Sequence, residues 1–208
     1  MVRGVVLHIH LPHAAPLEPG VESRLPERIG LATQKIVAAA QRSSTSSNLQ
    51  LYSAVAVTDA VKRARLASLC GNQDHIMQAP VFIAWCADLS RLDRVCEDRG
   101  YKQETSYVEN FLVAAVDAAI AMQNAAVAAE SLGLGMCYIG GIRTDPQGVI
   151  DLLKLPNLVF PVSGMTLGWP AVEPIHRPRL PLEAVLHMES YDCGDEKEAI
   201  KAYDNAMV

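Results

Sequence analysis

The chain has 208 residues, half of them apolar, and a formal net charge of −5 with acids and bases mixed along its length. That suits one soluble domain with a sizeable core, and it offers no basic stripe to track a phosphate backbone, so nucleic acid is excluded as an expected partner. The five cysteines (Cys70, Cys86, Cys96, Cys137 and Cys193) are scattered and form no C-x-x-C pair, which argues against a disulfide framework or structural zinc and for a reducing cytoplasm.

Residues 1–27 are proline-rich and aperiodic and read as an irregular arm; His8, His10 and Pro12 interrupt its apolar residues before a secretory segment can form. From Glu27, "ERIGLATQKIVAAAQ" sets Ile29, Ala32, Ile36, Val37 and Ala40 at helical spacing, and the hydroxyl-rich "RSSTSSNLQ" ends that helix. "LYSAVAV" follows as a strand. Asp59 is placed to cap a helix over "AVKRARLASLC", stopped at Gly71, and "PVFIAWCA" is a continuous apolar run suited to a sheet covered on both faces. Asp88 to Gln103 is charged and poorly periodic.

A long helix is predicted from about Ser106 to Leu132. Its segment "FLVAAVDAAIAMQNAAVAAE" is apolar on nearly every side and demands enclosure all round. Asp117, Gln123 and Asn124 interrupt it, which favours a buried soluble helix over a membrane span. One subunit has little material to enclose it, and its small side chains suit the close approach of a symmetry mate, so an isologous homodimer is expected. Beyond it come a strand, "GMCYIG", a helix over "DPQGVIDLLKL" with Pro146 in its first turn, and a strand in "LVFPVSGMTLGWP". The expected class is α+β, in three layers around a central mixed sheet.

The glycines of "ESLGLGMCYIGGIR" fail as a dinucleotide fingerprint, because the third glycine is missing and a strand follows instead of a helix. A nucleophile elbow, an H-E-x-x-H pair and a phosphate-binding P-loop are also absent from the sequence. His8, His10 and His13 read as an exposed cluster, not a metal site. Cys137 reads as a small core residue, and Asp117 as a hydrogen-bonded residue at the dimer interface.

Polar patches remain between the apolar elements: "SSNLQ", "GNQDHIMQAP", "AMQNAAVAAESLGLGMCYIGGIR", "LLKLP" and "LGWPAVEPIHRPRLP". Each alone is an ordinary turn or cap. In this order and spacing they resemble the nitroreductase-like flavoprotein family, in its major oxygen-insensitive, NADPH-dependent nitroreductase and flavin reductase branch, over residues 28–192. The resemblance implies a nitroreductase-like domain over that span, with residues 193–208 as a short C-terminal helix or tail. It also implies a swapped homodimer that holds FMN at its interface, along the long helix.

What the resemblance implies for the site is specific. Ser44, Thr45, Ser46 and Ser47 would lie near the flavin; Gln73, Asp74 and His75 would contact its ribityl or phosphate end; and Tyr138, Ile139, Gly140 and Gly141 would lie against the ring. Arg177 and Arg179 would supply charge to the phosphate. The implied function is an FMN-dependent NAD(P)H oxidoreductase, with NADPH or NADH as donor and a nitroaromatic, quinone or free flavin as acceptor, cytoplasmic and independent of membranes. No catalytic acid, base, nucleophile or metal is assigned. Two family features have no counterpart: an N-terminal Arg-Ser-x-Arg motif, for which "ESRLPERIG" offers only Arg24 and Arg28, and a C-terminal basic arm. They motivate the alternative expectation, a remodelled member with weak flavin binding and no catalytic role.

Overall fold

A computed structural model describes residues 25–170, 177–194 and 196–207, in two compact units divided after Val172. The proline-rich arm, apart from its last residues, and its histidine cluster lie outside the described residues.

In the first unit, α1 (Leu25–Ala40) leads through a polar loop to β1 (Tyr52–Val57), α2 (Ala60–Leu69), the short α3 (Asp74–Gln78) and β2 (Val81–Asp88). Then follow α4 (Ser90–Asp98), α5 (Val108–Ser131), β3 (Gly135–Ile139), α6 (Pro146–Leu153) and β4 (Val159–Gly168). The capping chemistry is as the sequence indicates. The Asp59 carboxylate accepts from the Lys62 amide at 2.8 Å and Asp145 from the Gly148 amide at 2.9 Å, satisfying donors that a helix start leaves unpaired. At the end of α5, Gly133 takes a φ of +73°; its amide donates to the Glu130 carbonyl and the Leu134 amide to the Ala129 carbonyl, a paired closure that glycine permits.

The strands form one sheet in the order β1-β2-β4-β3. All three pairings are antiparallel, which corrects the mixed sheet expected from the sequence. Three layers are present. Along β2, Val81, Ile83 and Trp85 face a core shared with α1 and α5, while Phe82, Ala84 and Cys86 face a core shared with α2, α3 and α6. Alternate residues of a strand point to opposite faces, so a strand covered on both sides is apolar throughout.

The charged stretch after Asp88 contains α4, a helix the sequence reading lacked. α5 also departs from expectation. Its alanines (Ala114, Ala118, Ala121, Ala125, Ala129) are buried within the chain itself, where α5 packs against α1 and all four strands. The larger residues Val108, Phe111, Leu112, Val116, Ile120 and Val127 are exposed. Small side chains therefore serve close packing inside the subunit, and the open face carries the bulk. By length and composition α5 is also long and apolar enough to cross a membrane; its alanine side packs against α1 and the sheet.

The second unit, from Glu173, contains a single turn of 3-10 helix at Leu182–Ala184 and α7 (Glu196–Ala206), which contact each other.

Candidate functional site

Two clusters of the residues singled out in the sequence are built in the first unit, and α5 supports both. The first is the loop between α1 and β1. Thr45 Oγ1 donates to Asp117 Oδ2 at 2.7 Å and accepts from the Gln50 amide at 2.8 Å. The same carboxylate accepts from the Ser46 amide at 3.0 Å and the Leu51 amide at 3.0 Å. Asp117 is 1% exposed, so its charge is offset by three donors from a segment some seventy residues earlier in the chain. The hydrogen bonding expected of Asp117 is thus met within the chain, by this loop.

The loop it holds is locally unfavourable. Ser47, Asn48 and Gln50 have φ of 50°, 55° and 53°, a left-handed conformation that costs a residue other than glycine on the order of 1 kcal/mol or more. Arg91 clamps the other side, through Nη1 to the Gln50 carbonyl and Nη2 to Ser53 Oγ, both at 2.9 Å. Ser44, Ser46 and Ser47 stay exposed.

The second cluster joins the turn after α2 to the end of β3. Gln73 Nε2 donates to the Cys70 carbonyl at 2.6 Å, and Gly141 lies directly against this pair. A Cβ on Gly141 would sit 2.6 Å from Gln73 Nε2 and would overlap the Cys70 carbonyl oxygen. Gly140 and Gly141 form the start of a 3-10 turn (Gly140–Arg143), and neither has a positive φ. Gly141 is thus required by close approach of the protein's own backbone. Gly140 is exposed, and a Cβ there would meet only Arg143 Nη2, at 3.6 Å.

Arg143 was not among the residues assigned from the sequence, although it closes the quoted glycine motif. Its Nη1 donates to the Val162 carbonyl at 2.5 Å, at the bulge where β4 carries one residue more than β2. That contact holds a cation beside the open Gly140 backbone. Tyr138 is 40% exposed, and its hydroxyl donates to Gln123 Oε1 of α5 at 2.7 Å; burial chiefly, with the nearby Glu130 charge, pushes its pKa up, so it stays a neutral donor. Ile139 is buried in the core, so only its backbone is available to a ligand.

Asp74 is exposed in the first turn of α3, and His75 is buried. An exposed carboxylate repels phosphate, which makes Gln73 the more suitable of the three for that role. Arg177 and Arg179 lie in the second unit, both exposed; Arg179 Nη1 donates to the Arg177 and Pro178 carbonyls at 3.1 Å. Burial pushes the Cys70 and Cys86 thiols up to about 12 and raises that of Cys137, so none of the three is a thiolate nucleophile near neutral pH.

The family model "Nitroreductase family" matches residues 67–169, and "Nitroreductase family, C-terminal domain" matches residues 177–208. The oxygen-insensitive NADPH nitroreductase of Salmonella typhimurium is 44% identical over 174 residues, 84% of this chain and 70% of that protein. The chain belongs to the nitroreductase family. An FMN reductase [NAD(P)H] of Bacillus subtilis is 45% identical over 83% of this chain and 71% of its own length. Among solved structures, the NADPH:FMN oxidoreductase of Vibrio harveyi complexed with NAD+ superposes with a TM-score of 0.80 at 38% identity, covering 85% of this chain and 75% of that one. The matched region holds Gln73, the Tyr138–Gly141 strand end and Asp117; the 44–47 loop precedes the span of the family model.

Proposed function

We propose that this nitroreductase-family chain is an FMN-dependent NAD(P)H oxidoreductase that reduces small-molecule acceptors of the nitroaromatic, quinone or free-flavin class. The observation that carries the reading is the Gly140 edge: exposed backbone, no side chain, Gln73 behind it, Tyr138 before it and the Arg143 cation beside it. The named enzymes among its relatives support this reading over that of a non-catalytic member.

The residues present fit FMN. Gly140 lets a flat ring approach the backbone, and Arg143 suits the negative charge a reduced flavin carries. Gln73 and the exposed hydroxyls of Ser44, Ser46 and Ser47 provide neutral donors suited to a ribityl chain. Arg177 and Arg179 of the second unit are exposed cations, the chemistry that a phosphate takes. FMN supplies reversible hydride transfer when bound, so the protein's own task is to position donor and acceptor and exclude competing partners. No side chain is assigned as acid, base or nucleophile.

A homodimer completes the reading. Val108, Phe111, Leu112, Val116, Ile120 and Val127 leave the outer side of α5 exposed and apolar, and a second copy of the same face is the simplest cover. The assembly is soluble and cytoplasmic in this proposal. Titration of the purified protein with FMN, followed by initial-rate measurement with NADPH and NADH against a quinone, tests the function. The expected result is saturable flavin binding with parallel double-reciprocal lines, since one ring face serves donor and acceptor in turn. Absence of FMN binding, or of flavin-dependent NAD(P)H oxidation, overturns it.

A further inference from the structure

We infer that Asp117 is a positioning residue for the flavin site: it sets the Thr45–Leu51 loop so that the exposed hydroxyls of Ser44, Ser46 and Ser47 are ordered before FMN arrives. The inference rests on the FMN reading above and extends it to a residue that does not itself face the ligand.

The argument begins with local preference. Three residues of this loop hold left-handed conformations although none is glycine, so the isolated segment would favour other shapes. One buried carboxylate opposes that preference by accepting from the Thr45 hydroxyl and from the amides of Ser46 and Leu51. It anchors both ends of the strained stretch at once. Thr45 Oγ1 ties the two ends a second time by accepting from the Gln50 amide. A plain surface loop would not need a buried charge in an otherwise apolar helix face; Asp117 sits between Ala114 and Ala121, both fully buried. A ligand that binds only the ordered loop loses apparent affinity in proportion to the ordered fraction.

Asp117→Asn keeps the side-chain shape but turns one acceptor into a donor that confronts an N–H. Thr45→Val is the milder variant, removing only the hydroxyl link. The experiment measures FMN affinity together with backbone amide hydrogen exchange at Ser46 and Leu51, with and without saturating FMN, in the wild type and both variants. The expected result is faster exchange at these amides with β2 amides unchanged, FMN affinity lower by about 10- to 100-fold for Asp117→Asn, and recovery of loop protection on adding FMN. Thr45→Val should show the same pattern, weaker; it carries the comparison if Asp117→Asn does not fold.

FMN binding unchanged in a variant whose loop is loosened, or loop exchange indifferent to saturating FMN, would overturn the assignment and leave Asp117 a purely structural residue. Wild-type protein that binds no FMN overturns the flavin reading itself and this assignment with it.

Discussion

Gly140 and Gly141 are neighbours with opposite reasons for lacking a side chain, and substituting each by alanine separates fold from ligand binding. In Gly141→Ala the new Cβ would overlap the Cys70 carbonyl oxygen and stand 2.6 Å from Gln73 Nε2, the two partners of an existing 2.6 Å hydrogen bond. One of those partners is backbone at the end of α2, which cannot swing aside as a surface side chain can. Overpacking costs about 1–3 kcal/mol and the broken hydrogen bond about 1 more, for a total of roughly 2–4 kcal/mol. In a chain of this size that lowers the melting temperature by roughly 4–16 °C. In Gly140→Ala the nearest atom is the mobile end of Arg143 at 3.6 Å and the φ is not left-handed, so stability should stay within about 0.5 kcal/mol. The methyl then stands where the flat ring is proposed to lie, and FMN affinity should fall. Thermal unfolding by circular dichroism and FMN titration of both variants are the assays. A Gly141→Ala protein as stable as the wild type would refute the close-approach argument, and a Gly140→Ala protein with undiminished FMN affinity would remove the ring from this edge.

Other outcomes follow from separate parts of the molecule. If the proposed dimer forms through α5, Ile120→Arg, in the middle of its exposed apolar face, should give a species of about 22.5 kDa by light scattering without loss of helical content. Burial tends to raise the Asp88 carboxyl pKa, but hydrogen bonds from Ser53 and Ser90, with Arg91, outweigh it and hold it below its ordinary value. A folded pKa below the unfolded one gives stability that is present above about pH 4 and lost as the pH falls through the folded value; the advantage of wild type over Asp88→Asn in urea midpoint should therefore shrink below about pH 4, and an advantage constant down to pH 2 would contradict this. Arg179→Ala should weaken FMN more than riboflavin in isothermal titration, because only FMN carries the phosphate. An unchanged ratio of the two affinities would place the phosphate elsewhere.

Local features of the fold were legible because they depend on neighbours in sequence. Asp59 and Asp145 announce helix starts, Gly133 announces a helix end, and the unbroken apolar run of β2 announces burial on both faces. Strand direction was not legible. Helices alternating with strands suggest parallel pairing, yet the run Val81–Ala87 reports only that both faces are covered, and here α1 and α5 on one side and α2, α3 and α6 on the other cover an antiparallel sheet. α4 escaped because it is short and largely exposed, with only Leu92, Val95 and Cys96 marking a helical period among charges. At the site, the glycine pair was readable as a place of close approach. What approaches Gly141, however, is the Cys70 carbonyl some seventy residues away, a contact no local pattern encodes. The carboxylate in the middle of an apolar helix was the available sign that something distant needed Asp117.

These long-range contacts share an element. Asp117 grips the Thr45–Leu51 loop and Gln123 receives the Tyr138 hydroxyl, six residues further along α5, or about 9 Å at the rise of an α-helix. The helix is held against α1 by packing and by the Asn124 side chain, whose Nδ2 donates to the Ala39 carbonyl at 2.6 Å. Its alanine face thus fixes it to the sheet, its few polar residues hold the two clusters of the candidate site, and its bulky apolar residues are left exposed. Each class of side chain on one helix answers a different constraint, which is why a reading of α5 as uniformly buried could identify its importance but not its orientation. In the proposed reading, which assigns no catalytic side chain, spacing along this packed helix positions the groups that would surround the cofactor.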